Sequence, residues 1–247
     1  IAFEKAGIIK PGRPVVAGRM PAEALAVIER VAGERGGPVW SVEREFGPDL
    51  AAYPRTNLEG TYQRWNAATA TLVARLMPPV WHLTPGVIER GLQQVNWPGR
   101  WQRIQVGATP VILDATHNPE GATQLDEGLA RLAAETGRKP VVVTGVLGER
   151  RARALLAAVA RHAGEIHLVV PHQDRATGFE AMESYIPAEF SGTVRRTTLA
   201  AVFPAAGRCA VGGPGDTVVG TGSIYLLGEV LERLEPGRTN ESKLQDW

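Results

Sequence analysis

The stretch Val111-Ile112-Leu113-Asp114-Ala115-Thr116-His117-Asn118-Pro119-Glu120-Gly121 decides the fold. Three apolar residues end on an acid, and a short polar turn follows. Asn118 and Pro119 then fit the N-cap and first position of a helix. Helical spacing continues over 119–135 through Leu125, Leu129 and Leu132. A strand feeding an amphipathic helix through a short turn is the repeating unit of an open, mostly parallel sheet.

The unit recurs downstream. Val141-Val142-Val143 predicts a strand, followed by a helix through Leu155, Leu156 and Val159. Ile166 to Val170 predicts a third strand, Thr217 to Gly220 a later one, and Ile224 to Leu234 the final helix. Strands with apolar residues on both faces need helices on both faces. The fold class expected from residue 97 onward is therefore α/β, with a Rossmann-like parallel sheet. The polar stretch after Pro236 is expected to fray.

Upstream the pattern is sparser. Pro14 to Ala17 and Pro38 to Val42 predict strands, residues 21–32 a helix, and Tyr62 to Met77 another. Thr84-Pro85 starts a helix expected to end near Val95, while 44–59 has little periodicity and reads as loop or irregular strand. Asn96-Trp97-Pro98-Gly99 breaks the pattern and sets a domain boundary, giving domains 1–96 and 97–247.

Composition narrows the function classes. The 247 residues carry a formal charge of +1, so no basic footprint points to nucleic acid or an acidic membrane surface. No apolar run reaches the roughly 18–20 residues that span a bilayer. Cys209 is the lone cysteine, which excludes an internal disulfide and a cysteine-rich metal site, fits a reducing cytoplasm, and reads as a small core residue. Lysine occurs only at 5, 10, 139 and 243, and no Gly-x-x-x-x-Gly-Lys-Ser/Thr loop is present to cradle a nucleotide triphosphate. The chain opens without Met inside an apolar segment, which suggests a piece of a longer protein.

In an open parallel sheet, ligands bind beyond the carboxyl ends of the strands. One such end is Asp114 to Gly121, where free helix amides favour an anion and Asp114 and His117 offer polar partners. The other is Thr221-Gly222-Ser223-Ile224-Tyr225, a small, hydroxyl-rich turn that backbone or ligand can approach closely. The competing reading of the first is a helix cap with a surface histidine, and of the second an ordinary turn. His82, His162, His167 and His172 lack metal-ligand spacing and read as surface or edge residues.

Four segments in order carry a resemblance. They are Glu4-Lys5-Ala6-Gly7-Ile8-Ile9-Lys10-Pro11-Gly12, Gly60-x-x-Gln63-x-x-Asn66-Ala67, Trp97-Pro98-Gly99-Arg100-Trp101-Gln102, and Leu113-Asp114-Ala115-Thr116-His117-Asn118-Pro119. Together with the helix entered from Thr221-Gly222-Ser223, they resemble the folylpolyglutamate synthase/dihydrofolate synthase family of the Mur ligase superfamily. The resemblance covers the whole chain, against roughly the C-terminal 60 % of a family member.

It implies the end of a P-loop ATPase domain over 1–96 and a Rossmann-like ligase domain over 97–247. It also implies an ATP- and Mg2+-dependent ligase that adds L-glutamate to folate, or to dihydropteroate, through an acyl phosphate. The P-loop region of the same protein would be the missing partner, and the 247 residues alone would be inactive. Lys5 matches a lysine that becomes a carbamate and helps hold a metal ion, which requires the neutral amine. Asn66, Arg100 and Asp114 match ATP contacts, with Arg100 against phosphate. His117, Ser223 and Tyr225 match the glutamate side, and Lys5, Arg100 and His117 are the catalytic candidates. Two positions depart from the family: Glu149-Arg150-Arg151 stands where Asp-Lys-Asp is frequent, and Thr116 where Ala or Gly is usual. A Mur ligase of peptidoglycan precursor synthesis and a non-catalytic Rossmann-like binding fragment are the alternatives.

Overall fold

The computed structural model describes residues 1–235. The predicted tail after Pro236 lies outside the described residues. Contacts divide the chain into two units, Ile1–Asn96 and Trp97–Trp247.

The first unit contains α1 (Ala2–Ala6), β1 (Val15–Ala17), α2 (Ala22–Glu34), β2 (Val39–Ser41), α3 (Val42–Phe46), α4 (Thr61–Leu76) and α5 (Pro85–Leu92). Single 3-10 turns occupy Leu50–Ala52 and Pro79–Trp81. β1 and β2 pair in parallel as a two-stranded sheet. Ala6, Ile9, Val31 and Ala32 form one small core, and Val42, Tyr53, Ala68 and Leu72 another.

Three upstream expectations are corrected here. Residues 44–59 hold the end of α3 and a 3-10 turn, elements too short to show a helical period. Val42 belongs to α3 and not to the strand before it. α5 stops at Leu92, because Asn57 captures Val95 through both its amide N–H and its carbonyl, at 3.1 and 3.0 Å.

The second unit contains β3 (Gln102–Val106), β4 (Thr109–Asp114), α6 (Pro119–Thr136), β5 (Val141–Thr144), α7 (Glu149–His162), β6 (Glu165–Leu168), α8 (Phe179–Ser184), β7 (Thr193–Arg196), α9 (Leu199–Val202), β8 (Val218–Thr221) and α10 (Ile224–Leu234). The six strands lie in the order β3-β4-β8-β5-β6-β7. All pairs are parallel except β3 with β4, an antiparallel hairpin. The α/β class with a mostly parallel, helix-covered sheet is as the sequence predicts.

The sheet is apolar on both faces, and each face has its own core. Ile112, Val142, Ile166, Leu168 and Val219 pack against Leu125, Leu129, Leu155 and Leu156 of α6 and α7. Val111, Leu113, Val141, Val143 and Val218 pack against Leu199 and Val202 of α9, Phe203, and Leu226, Leu227 and Val230 of α10. The chain leaves β4 through α6 for β5, and β8 later fills the slot between them. That inserted strand brings the carboxyl ends of β4 and β8 side by side, with Asp114 in register with Thr221 and Thr221 with Thr144.

β3, β7, α8 and α9 were not legible in the sequence. β7 is a polar edge strand ending in Arg195 and Arg196, which discourages further strand pairing. β7 also corrects the reading of His167, which is 5 % exposed inside the sheet and not a surface residue, because β7 covers β6 on its outer side. The predicted third strand ends at Leu168, two residues early. Among the described residues no helix is long and apolar enough to cross a membrane.

Candidate active site

The carboxyl end of β4 is tied to the turn that precedes β3. Asp114 is 4 % exposed, and its two oxygens are engaged in different directions. Oδ2 accepts the Trp101 amide at 3.1 Å, while Oδ1 accepts the Thr116 amide at 3.1 Å and its hydroxyl at 2.5 Å. Burial raises the Asp114 pKa, and the bonds from Thr116 and Trp101 and the Arg100 charge pull it back down.

The same turn is held from the other side. The Ala115 amide donates to the Gly99 carbonyl at 2.7 Å, and the Gly99 amide to Gln102 Oε1 at 3.0 Å. Trp101 takes a left-handed φ of 51°, rare for a residue with a side chain, and its ring is buried. Arg100, between these two anchored residues, is half-buried.

Asn118 caps α6 as predicted, its Oδ1 accepting the Gly121 amide at 2.7 Å with Pro119 in the first turn. His117 bends back so that Nδ1 meets the Ala115 carbonyl at 2.8 Å. A carbonyl only accepts, so Nδ1 carries a proton in that contact and Nε2 of the neutral ring is left as an acceptor.

On the neighbouring strand, Ser223 is buried and caps α10, its Oγ accepting the Tyr225 amide at 3.1 Å. Gly222 adopts φ 113°, and a Cβ there would lie 2.7 Å from the Gly145 carbonyl oxygen and from Thr144 Oγ1. Glycine is required at this turn for both reasons. The Thr221 and Thr144 hydroxyls, at the ends of β8 and β5, are buried without a hydrogen-bond partner among the described residues. Arg100, Asp114, His117, Ser223 and Tyr225 thus all lie on or beside the ends of two adjacent strands.

Lys5 and Asn66 belong to the first unit. Lys5 is exposed in the last turn of α1. Asn66 donates to Gln63 Oε1 at 3.1 Å on α4. It lines a groove of about 790 Å³ together with Gly18, Arg19, Trp65 and Thr69. The Arg19 guanidinium lies 4.4 Å from the centre of the Trp65 ring. Among the described residues no three His, Cys, Asp or Glu side chains converge as a metal-ligand set.

Sequence reasoning missed Thr116, Trp101 and Thr144. Thr116 had shown only as a departure from the family pattern, and the structure gives it a use as a donor to Asp114. Nothing in sequence periodicity marks the left-handed turn at Trp101. Two of the other histidines are committed elsewhere: His162 meets Asp126 at 2.9 Å, and exposed His172 meets Glu229 at 2.8 Å.

Residues 99–224, just over half of the chain, match the family described as Mur ligase, glutamate ligase domain, and the chain belongs to that family. Within it, the chain is 29 % identical to the folylpolyglutamate synthase of Lacticaseibacillus casei over 97 % of its own length and 58 % of that protein's. It is also 29 % identical to the dihydrofolate synthase/folylpolyglutamate synthase of Bacillus subtilis (strain 168), over 95 % of its own length and 58 % of that protein's. The fold is shared with the bifunctional folylpolyglutamate synthase/dihydrofolate synthase of Yersinia pestis, solved with AMPPNP and a manganese ion. The TM-score is 0.69 at 23 % identity, covering 94 % of this chain and 56 % of that one. The chain thus spans about 58 % of the length of the curated relatives it matches.

Proposed function

We propose that this chain forms part of an ATP-dependent ligase that joins the amine of L-glutamate to a carboxylate of folate, and of dihydropteroate, through an acyl phosphate. One observation carries the reading. The β4 and β8 ends lie in register, so a cation, a helix N-terminus and a proton acceptor are grouped at one edge of a Mur-type ligase sheet. That the relatives matching nearly the whole chain are folate ligases favours folate over a peptidoglycan precursor.

In this reading ATP passes its terminal phosphoryl group to the folate carboxylate, the glutamate amine attacks the acyl carbon, and phosphate leaves. Arg100 supplies a fixed positive charge to the phosphate oxygens. At the start of α6 Pro119 has no N–H and Asn118 takes that of Gly121, so the Glu120 amide is the one left to meet an anion as well. His117, with Nδ1 held by the Ala115 carbonyl, offers Nε2 to the glutamate ammonium and accepts a proton as the amine attacks. Ser223 and Tyr225 stand on the glutamate side, and Asn66 and Asp114 on the nucleotide side.

Lys5, exposed on α1, is free to react as its neutral amine with CO2, forming an N–C bond and losing a proton. The resulting carbamate would give one anionic ligand to a divalent ion, Mg2+ in this reading. The described residues do not make a complete metal site, and no step is derived through the metal.

The 247 residues contain no Gly-x-x-x-x-Gly-Lys-Ser/Thr loop, so these residues alone are expected not to turn over ATP. The test is ADP release by the intact gene product with glutamate and either reduced folate or dihydropteroate. Glutamate-dependent ADP release with either acceptor supports the proposal. No release with any folate acceptor, alongside release with a peptidoglycan precursor, overturns it.

A further inference from the structure

The geometry points to Gln63 as a positioning residue: by accepting an N–H of Asn66 it fixes which way round the Asn66 amide stands, and so selects an adenine nucleotide over a guanine one. The inference rests on the reading of Asn66 as a residue on the nucleotide side.

The first observation is the pairing itself. Gln63 and Asn66 stand three residues apart on α4, and such positions share a helix face. Asn66 Nδ2 donates to Gln63 Oε1 at 3.1 Å. Gln63 is 3 % exposed, in the first turn of the helix, while Asn66 is exposed. An exposed amide turns readily about its last torsion, and its two ends are of similar size. The bond to a buried, immobile partner therefore decides the orientation. With Nδ2 held toward Gln63, Oδ1 faces away, beside the second Nδ2 hydrogen.

That outward pair is an acceptor next to a donor. Adenine answers it with the 6-amino group as donor and N7 as acceptor. Guanine has O6 in place of the amino group, so Oδ1 would meet another acceptor. Turned over, Asn66 would present its NH2 group where Oδ1 stands, and that group suits O6. One hydrogen bond between two side chains thus separates the two bases.

The second observation is independent and concerns the other end of Gln63. Its Nε2 is buried with no partner among the described residues. A buried N–H2 without an acceptor is a cost to the fold, and an apolar side chain of the same length would avoid it. The face around it is already apolar, with Ala67, Ala68 and Leu72 buried on the same helix. A buried amide kept at a cost, with its one side-chain bond spent on an exposed amide, serves that amide and not the core.

Two measurements test this. In the 247-residue chain, Gln63→Met should leave Tm unchanged or higher and speed exchange of the Asn66 side-chain amide protons by at least about threefold. Unchanged Asn66 exchange in the folded variant would overturn the pairing.

In the intact ligase, kcat/KM for ATP should exceed that for GTP by at least about tenfold, the weight of one bidentate base contact. Gln63→Met should shrink that ratio at least about fivefold through the ATP KM, with kcat at saturating ATP within about twofold. Gln63→Glu keeps an acceptor facing Asn66 in either charge state, so it should hold the ratio within about twofold of wild type. A ratio unmoved by Gln63→Met, a ratio lost equally in Gln63→Glu, or a wild-type enzyme that uses both nucleotides alike would overturn the inference. A wild-type ligase without folate activity would sink the functional reading, and the exchange measurement would still decide the Gln63–Asn66 pairing.

Discussion

Gly128 presents its bare Cα to the face of Trp101, and a Cβ built there would lie 2.6, 2.7 and 3.1 Å from three ring carbons. Gly128 sits in the middle of α6, where alanine would ordinarily be favoured by about 1 kcal/mol. Overpacking a buried ring costs about 1–3 kcal/mol, which outweighs that gain. Gly128→Ala is therefore expected to lower stability, with a Tm fall of about 2–8 °C for a unit of this size. Gly33, also inside a helix but with open space around it, is the control: Gly33→Ala should be neutral or stabilising. Thermal melts of both variants check this, and an unchanged Tm for Gly128→Ala would remove the steric argument.

His167 makes the second unit sensitive to acid. Burial holds its pKa below the ordinary value near 6.5, against the opposing pull of Glu165. Glu165 Oε1 lies 3.2 Å from Nε2 but out of line for a hydrogen bond, and Arg195 takes the same oxygen at 2.5 Å. The folded state therefore binds the proton less tightly than the unfolded state. Stability from this residue is intact above the unfolded value and is lost as pH falls from about 6.5 toward the depressed folded value. His167→Leu, of similar size and apolar, should flatten the fall in Tm between pH 7.5 and 5 while the other carboxylates keep theirs. Parallel Tm-against-pH curves for the two proteins would refute the assignment.

The parts of the fold that were legible are those with strong local signals. Val141 to Thr144 is buried at every position, and an uninterrupted apolar run says so directly. α10 runs Ile224–Leu234 and α6 starts on an Asn-Pro cap, both as the residues predict. β3 was not legible because its alternation of Gln, Arg and Ile gains meaning only once β4 pairs with it across the Gly107 turn. His167 was misread because its burial depends on β7, which has no apolar pattern of its own. Asp114 and Asn118 could be picked out by position at a strand end and a helix start. That Asp114 reaches back 13 residues to the Trp101 amide is a tertiary fact, invisible to spacing.

The two units should differ in solution when made separately. The second has two cores, one on each face of the sheet, built from large buried side chains such as Phe203, Leu129 and Ile166. The first has a two-stranded sheet and two small cores. Among the described residues it also carries nine of the ten exposed large apolar side chains, including Phe3, Val73, Val80 and Trp81, whereas the second carries only Trp97. An isolated pair of strands is marginal in water, and a surface so apolar associates. Residues 97–247 are expected to melt cooperatively, and residues 1–96 to bind a hydrophobic dye and aggregate. A cooperative, dye-silent transition in 1–96 would count against this.

Adjacent residues in one loop offer a clean separation of capping from chemistry. Asn118 Oδ1 accepts the Gly121 amide and no other hydrogen bond among the described residues, so Asn118→Ala should cost about 1 kcal/mol of stability and leave kinetics nearly intact. Among the described residues His117 makes one side-chain hydrogen bond, Nδ1 to the Ala115 carbonyl, and it is only half-buried, so its removal should change stability little. If its Nε2 serves the glutamate amine, His117→Ala in the intact ligase should raise the glutamate KM by about tenfold or more while the ATP KM stays within about twofold. Melting curves and both Michaelis constants for the two variants decide the matter. If His117→Ala lost stability like Asn118→Ala with both constants unchanged, the loop would be a helix cap alone, and the glutamate role would have to pass to the Ser223 turn on the neighbouring strand.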